Sequence, residues 1–235
     1  MAPELDRRVQ ENLARVRERI ARACEAAGRS VDDVCLIGVS KYVGVPETLA
    51  LVRAGCNRLG ESRPQQLWEK ASNPAFDDEP INWRLIGHLQ RNKVKRTLES
   101  GVCNIDSVDS LRLLQAIDET VSQPEWRQNV LLEVNTSGDS EKHGFTTDEL
   151  RSALAELDRY SHVQVQGLMT MAARGGDADT ARRNFATLRE IRDRVATPEL
   201  PLSELSMGMS GDFEEAIHEG STLVRVGSAL WEGIK

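Results

Sequence analysis

The chain has 235 residues, of which 40% are hydrophobic and 29% charged, and its formal net charge is −7 at pH 7. These values are ordinary for a globular protein, and the acidic balance argues against a surface that binds nucleic acid. A chain of this length can form one α/β barrel, so we expect a single domain over residues 1–235.

Strand-like segments alternate with helical patterns along nearly the whole chain, after an amphipathic helix over residues 3–27. The strands are predicted at residues 34–41, 57–61, 82–88, 102–106, 129–135, 163–170, 204–209 and 222–227. The helices between them are predicted at residues 46–55, 63–71, 91–100, 108–121, 147–159, 178–196 and 212–219. This alternation predicts an α/β fold, a single (β/α)8 TIM-type barrel with an extra N-terminal helix. The alternative, an open doubly wound sheet, is less favoured because neither GxGxxG nor GxxxxGK[ST] follows the first strand.

Lys41 ends the first predicted strand, which is apolar almost throughout and reads as buried on both faces. A lysine rarely ends such a strand for packing reasons, because its ammonium needs water or a partner. Burial and a neighbouring cation make such an amine a better nucleophile towards a carbonyl, with which it can form a Schiff base. The alternative is that Lys41 lies one residue beyond the buried region and reaches solvent.

Polar residues stand at the predicted C-terminal ends of the strands, where a parallel barrel carries its functional site. These ends read Lys41, Glu61 with Ser62, His88, Asp106 with Ser107, Asn135, Thr170, Ser210, and Arg225 with Gly227 and Ser228. Strands generally end where polar loops begin, so part of this pattern would arise without any function. Arg225 lies in an apolar strand, and we expect it either to clamp a phosphate or to pair with Glu61 or Glu133.

The segments after the seventh and eighth predicted strands are the usual phosphate site of this kind of barrel. Residues 206–212 read SMGMSGD and residues 224–229 read VRVGSA. Both set small residues and hydroxyls beside glycines, so that backbone N–H groups can approach an anion. Ser210 also stands where a helix N-cap belongs, ahead of the acidic Asp212, and a capping role is the alternative.

The remaining motifs give no other chemistry. The four histidines show neither HExxH nor a paired spacing, so no metal site is predicted. The four cysteines are scattered without a CxxC pair, which is typical of a reduced, cytoplasmic protein. The charged N-terminus argues against a signal peptide, and no apolar run is long enough to span a membrane.

Eight stretches of the chain occur in the order seen in one known family. They are residues 36–41, 59–61, 85–93, 106–110, 133–135, 167–171, 206–210 and 224–228. The strings IGHLQRNK and LSMGMS are the most specific of them. Together they resemble the pyridoxal phosphate homeostasis protein family, whose fold is like the N-terminal barrel of alanine racemase.

The resemblance implies that the chain is one barrel domain that binds pyridoxal 5′-phosphate (PLP). It implies that Lys41 holds PLP as an internal aldimine and that Ser210, Gly227 and Ser228 hold the phosphate. It also implies that Arg225 faces the pyridine nitrogen.

Two positions depart from the family pattern. Ser62 follows Gly60-Glu61 where asparagine is usual, which puts any cofactor contact of that asparagine in doubt. Tyr42 follows the lysine where a smaller residue is common.

The implied role is to hold PLP and release it to apo-enzymes, in intracellular vitamin B6 and amino-acid homeostasis. Arginine cannot accept a proton from the ring nitrogen, so the cofactor would remain a weak electron sink. The chain stops at Lys235, soon after the last predicted strand. We therefore expect no second domain with an opposite-face acid/base, no efficient enzyme, and a monomer. The alternatives are a small PLP-dependent racemase or decarboxylase and, more distantly, a Schiff-base aldolase acting on a sugar phosphate.

Overall fold

Eight parallel strands close into a barrel in the computed structural model, which describes residues 2–139, 143–173 and 175–234. Neighbouring strands follow each other in chain order, and the first strand pairs with the last. The strands are β1 (Cys35–Val39), β2 (Arg58–Glu61), β3 (Asn82–Leu85), β4 (Asn104–Val108), β5 (Gln128–Glu133), β6 (Val163–Met169), β7 (Glu204–Met209) and β8 (Leu223–Val226). The predicted barrel is confirmed.

Helices lie outside the barrel and alternate with the strands. They are α1 (Ala2–Ala26), α2 (Val45–Arg53), α3 (Pro64–Ala71), α4 (Val94–Glu99), α5 (Leu111–Thr120), α6 (Thr147–Ala155), α7 (Ala178–Val195) and α8 (Phe213–His218). The predicted N-terminal helix is α1, which packs against α2 and α8. None of the described helices combines the length and the apolar composition that a bilayer-spanning segment needs.

Two apolar clusters stabilise this arrangement. The larger one lies between the strands and the surrounding helices. The smaller one lies inside the barrel and consists of Ile37, Leu131, Met169 and Leu223. Ile37 and Leu223 face the barrel interior. Because side chains alternate along a strand, Arg225, two residues after Leu223, and Lys41, four residues after Ile37, are expected to face the same way.

Two predicted strands have different bounds from those expected. The third strand ends at Leu85 rather than at residue 88. Beyond it, Gly87 packs so closely on the loop after β2 that a Cβ there would lie 2.2 Å from the carbonyl oxygen of Ser62. The fourth strand, predicted over residues 102–106, continues to residue 108, so Asp106 lies within the strand instead of at its end.

Three predicted helices are also shorter than expected. The helix predicted from residue 91 begins with a 3-10 turn and becomes α-helical at Val94. The helix predicted from residue 108 begins at Leu111, because Ser110 Oγ accepts a hydrogen bond from the N–H of Leu113 at 3.4 Å and caps it. The α-helix predicted over residues 147–159 ends at Ala155 and is followed by a separate 3-10 turn. The other predicted ends agree within two residues.

The segment after β8 fastens the closure of the barrel. The indole Nε1 of Trp231 donates a hydrogen bond of 2.7 Å to the carbonyl oxygen of Val39, the last residue of β1. Asn12 of α1 donates from Nδ2 to the carbonyl oxygen of Leu230 at 2.8 Å. These buried bonds hold the last turn against the end of β1, two residues before Lys41.

Candidate functional site

Lys41 lies in the turn after β1, at the end of the barrel where all eight strands have their C-termini, here called the barrel mouth. Its side chain is partly buried, and Nζ lies 4.8 Å from the centroid of the Tyr42 ring. That distance is typical of a cation–π contact. Tyr42, which departs from the family pattern, therefore covers one side of the ammonium, although the residue itself is 75% exposed.

The residue before Lys41 is fixed by hydrogen bonds to two elements, β2 and α3. The backbone N–H of Ser40 donates to the carbonyl oxygen of Gly60 at 3.1 Å. The hydroxyl of Ser40 donates to Glu61 Oε1 at 2.8 Å, and its carbonyl oxygen accepts from Lys70 Nζ at 2.7 Å. Ser40 is fully buried, and its N–H, hydroxyl and carbonyl groups are all hydrogen-bonded. The turn that carries Lys41 therefore begins at a residue of fixed position.

The base of this turn contains a buried ion pair. Lys70 Nζ lies 2.5 Å from Glu61 Oε1, and the two side chains are 7% and 0% exposed. Among the described residues, Glu61 Oε2 is buried without a hydrogen-bond partner. The lysine thus neutralises a carboxylate that has no access to water, and both groups bind Ser40.

Lys70 was not among the residues predicted from sequence, although the pattern of α3 indicates its burial. The buried residues of α3 are Pro64, Leu67 and Lys70, three residues apart, which is the spacing of one helix face. A lysine on the apolar face of a helix needs an acidic partner, and Glu61 at the preceding strand end was available.

Arg225 points into the barrel and is held by neutral partners. Its guanidinium donates to Ser206 Oγ at 2.6 Å and to the carbonyl oxygen of Thr170 at 2.9 Å. The expected pairing with Glu61 is wrong, because that carboxylate pairs with Lys70. Burial lowers the pKa of Arg225, and the negative charges of Asp106 and Glu133 act in the opposite direction. The result is a cation of fixed orientation on β8.

Asp106 belongs to a separate buried network rather than to the barrel mouth. Arg84 of β3 donates to Asp106 Oδ2 at 2.9 Å and to Glu204 Oε2 at 2.9 Å. Burial raises the pKa of Asp106, while Arg84 opposes that shift. The network links β3, β4 and β7 across the barrel interior, which explains why these strands carry charged residues.

The segments after β7 and β8 meet through a hydrogen bond. Ser210 Oγ accepts from the backbone N–H of Gly227 at 3.1 Å. Ser228 is exposed and begins the next turn. A Cβ built on Gly211 would meet nothing within 4 Å, so open space adjoins these groups. Two hydroxyls, backbone N–H groups and small residues around open space suit a phosphate.

The alternative role for Ser210, an N-cap of the following helix, is wrong. Helix α8 begins at Phe213, and its N-cap residue is Asp212. The Asp212 carboxylate instead accepts from the backbone N–H of Met209 at 2.6 Å. The Asp212 carboxylate is thus bonded to the backbone of the preceding turn. The Ser210 hydroxyl is bonded to the backbone N–H of Gly227 instead of capping the helix.

All five predicted site residues lie at the ends of three neighbouring strands. Ser210 follows β7; Arg225, Gly227 and Ser228 lie on or after β8; and Lys41 follows β1. These strands pair side by side, β7 with β8 and β8 with β1. The arrangement gathers an amine, a fixed guanidinium, two hydroxyls and a glycine turn in one sector of the barrel mouth.

Comparison with known proteins identifies the family to which the chain belongs. The alanine racemase N-terminal domain family matches residues 9–234. A pyridoxal phosphate homeostasis protein from Aquifex aeolicus (strain VF5) is 38% identical over 222 residues, which cover 94% of this chain and 96% of that protein.

Solved structures agree in fold. PipY of Synechococcus elongatus PCC7942, solved with PLP bound, superposes with a TM-score of 0.81 at 32% identity, covering 94% of this chain and 99% of PipY. An alanine racemase from Clostridium difficile 630 gives a TM-score of 0.76 at 15% identity, covering 95% of this chain and 56% of the racemase. The racemase likeness is one of fold.

Proposed function

Because this chain belongs to the family of pyridoxal phosphate homeostasis proteins, which carry the alanine racemase N-terminal domain, we propose that it binds PLP at the barrel mouth. Its role is then intracellular vitamin B6 and amino-acid homeostasis. The observation that carries this proposal is the convergence of Lys41, Arg225 and the Ser210–Gly227 pair on three adjacent strand ends. When bound, PLP supplies an aldehyde carbon, a phosphate and an electron-withdrawing ring.

Each residue of this sector has a distinct role in the proposal. The amine of Lys41, on the turn fixed by the hydrogen bonds of Ser40, would be the group that bonds covalently to the aldehyde carbon. Ser210, Gly227 and Ser228 would hold the phosphate through hydroxyl and backbone N–H groups. Arg225 would face the ring nitrogen as a hydrogen-bond donor. An arginine there keeps that nitrogen unprotonated, which weakens the ring as an electron sink.

The phosphate role of Ser210 is open to a direct test. In Ser210→Ala, PLP affinity should fall about tenfold to a hundredfold, because a hydrogen bond to a charged group contributes about 1.5–3 kcal/mol. Equilibrium binding of PLP, followed by its absorption, measures the change. Pyridoxal, which lacks the phosphate, is the control ligand, and its affinity should be the same for both proteins. Equal loss for both ligands would contradict a phosphate contact.

Holding the cofactor without efficient turnover is the second part of the proposal. Racemisation needs protons delivered to both faces of the substrate, and tyrosine is one side chain suited to this. The chain has two tyrosines. Tyr42 adjoins Lys41, and Tyr160 lies just before β6, at the opposite end of the barrel from the mouth. We therefore assign the protein the role of a PLP carrier that serves apo-enzymes.

Amino-acid turnover should be slow in the PLP-loaded protein. Single-enantiomer amino acids incubated in heavy water should show little loss of enantiomeric excess, since a missing acid/base costs about 10²–10⁴-fold. Deuterium uptake and chiral chromatography measure it, with Lys41→Ala as the blank. Racemisation or decarboxylation at rates of order 1–10³ per second would instead establish an enzyme. Transfer of PLP to an apo-enzyme, faster than release into bulk solvent explains, would support the carrier role.

The cellular setting forms part of the same proposal. All four cysteines are free thiols, and two of them, Cys24 and Cys56, are buried. This supports a reduced, cytoplasmic location. We assign the protein to a monomeric state and a single PLP-binding domain, with PLP and apo-enzymes as partners and neither nucleic acid nor membrane among them.

A further inference from the structure

The loops after β3, β4 and β5 bring together His88, Asp109 and His143, which the sequence spacing did not group. The Nδ1 atom of His88 lies 2.9 Å from Asp109 Oδ2, and the Nδ1 atom of His143 lies 3.5 Å from the same oxygen. The two imidazole rings are stacked, with centroids 4.1 Å apart. We infer that these three side chains form a binding site for a divalent transition ion of the Zn²⁺ class, separate from the five residues assigned to PLP.

Hydrogen bonds between neighbouring loops set the positions of His88 and Asp109. Ser107 Oγ donates to the carbonyl oxygen of Gly87 at 2.7 Å, which ties the loop after β4 to the loop after β3. Ser110 Oγ donates to Asp109 Oδ1 at 3.1 Å, so one carboxylate oxygen is used locally and the other faces the histidines. The Asp109 side chain is 10% exposed, which limits its movement.

The position of His143 is set by the residues that follow it. Phe145 donates from its N–H to the carbonyl oxygen of Glu133 at 2.7 Å and accepts from the N–H of Asn135 at 3.0 Å. Gly144 has φ +113°, and a Cβ there would lie 2.8 Å from the backbone nitrogen of Asn135. Only glycine suits this position, so His143 is attached to a backbone of defined course.

The donor atoms suit zinc better than magnesium or calcium. Two imidazole nitrogens and one carboxylate oxygen are a typical zinc ligand set, whereas Mg²⁺ and Ca²⁺ prefer oxygen ligands throughout. Tetrahedral zinc with bonds of about 2.0–2.2 Å keeps neighbouring ligand atoms about 3.3–3.6 Å apart. The observed 3.5 Å between His143 and Asp109 lies in that range, and the 2.9 Å between His88 and Asp109 would have to lengthen by about 0.4 Å. Three protein ligands leave a fourth position for water, as in open zinc sites.

The site also permits entry and the small adjustment that binding requires. The side chains of His88 and His143 are 42% and 60% exposed, so an ion can reach them from solvent. The ring planes differ by 13°, and an ion between nearly parallel rings would lie in the plane of only one of them. One imidazole must therefore turn about its side-chain torsions, and His143, the more exposed, is free to do so.

The alternative is that the two imidazoles only donate hydrogen bonds to Asp109 and that no ion binds. A titration with Zn²⁺ distinguishes this alternative from a metal site. The full chain, freed of metal with a chelator, is titrated with ZnCl₂ in a calorimeter, both with and without PLP. We expect one saturable site per chain. His88→Asn, His143→Asn and Asp109→Asn should each weaken it by more than about a hundredfold, the upper range seen for residues that only support a ligand.

Matched controls decide whether the binding belongs to this cluster. His218→Asn removes an exposed histidine at the end of α8 and should leave the Zn²⁺ affinity unchanged. Melting temperatures of all variants, measured without metal, verify that each one is folded. Absence of saturable binding would overturn the site. Binding that all three cluster variants retain, or that occurs only with PLP present, would equally overturn it. The result does not depend on Lys41, so it stands apart from the test of PLP binding.

Discussion

Lys41→Ala should abolish covalent retention of PLP and leave the barrel folded. Lys41 follows Val39 and Ser40, which are bonded to Trp231, Glu61 and Lys70, and it is the amine that we propose as the nucleophile towards PLP. Borohydride converts the reversible carbon–nitrogen bond to PLP into a permanent amine. In the unaltered protein the label should be recovered on the peptide that contains Lys41, and in the variant it should fall to background.

Two controls sharpen this result. Lys41→Arg keeps the positive charge and the contact with Tyr42 but removes the nucleophilic amine, so it should lose the label as completely as alanine does. Lys93→Ala removes another lysine and should keep full labelling. Because Lys41 is only partly buried, its truncation should change the free energy of unfolding by less than about 1 kcal/mol. Label recovered on Lys93 alone would refute the assignment.

Lys70→Met should produce the largest loss of stability of any lysine replacement in this sector. It leaves the Glu61 carboxylate buried without a cation and removes a donor from the carbonyl oxygen of Ser40. Breaking a buried ion pair from one side costs about 3–5 kcal/mol. For a chain of this size that corresponds to a fall in melting temperature on the order of 10 °C. Calorimetry measures it, and PLP affinity should fall as well because the base of the Lys41 turn is loosened.

The control variants separate the ion pair from general effects of losing a lysine. Lys95→Met removes a lysine that is 79% exposed and 3.9 Å from Glu99, and it should change stability by at most about 0.5 kcal/mol. The double variant Lys70→Met with Glu61→Gln leaves no buried charge unpaired. It should therefore regain much of the lost stability. If Lys70→Met cost no more than Lys95→Met, the buried pair would have no structural importance.

The barrel was predictable because its signal is local and repeated. Apolar runs of strand length alternate with helical patterns, and each unit independently indicates the same architecture. Segment ends were predictable only within a few residues, because caps and close approaches decide them. Ser110 sets the start of α5, and the close packing of Gly87 on Ser62 accompanies the early end of β3.

The side-chain contacts at the barrel mouth and in the histidine cluster were much harder to predict from the sequence. The Ser210–Gly227 pair follows from the family motifs and from the adjacency of β7 and β8. The Lys70–Glu61 pair joins a helix face to a strand end, and single-segment patterns do not show such pairs. The cluster of His88 and His143 on Asp109 depends on the course of three loops. Spacing along the chain carries little information about such courses.

The proposed PLP site combines the first strand of the barrel with the last two, since Lys41 follows β1, Ser210 follows β7, and Gly227 and Ser228 follow β8. Residues almost two hundred positions apart must therefore meet before any binding surface exists, and Trp231 reaches Val39 only in the closed ring. A chain that has opened this one seam separates Lys41 from Ser210 and Gly227, so we expect it to bind PLP much more weakly. Ligand occupancy therefore stabilises the closed ring by mass action, by about 2.7 kcal/mol at a free concentration one hundred times Kd. We therefore expect PLP to protect the barrel as a whole, because binding and ring closure depend on the same strand ends.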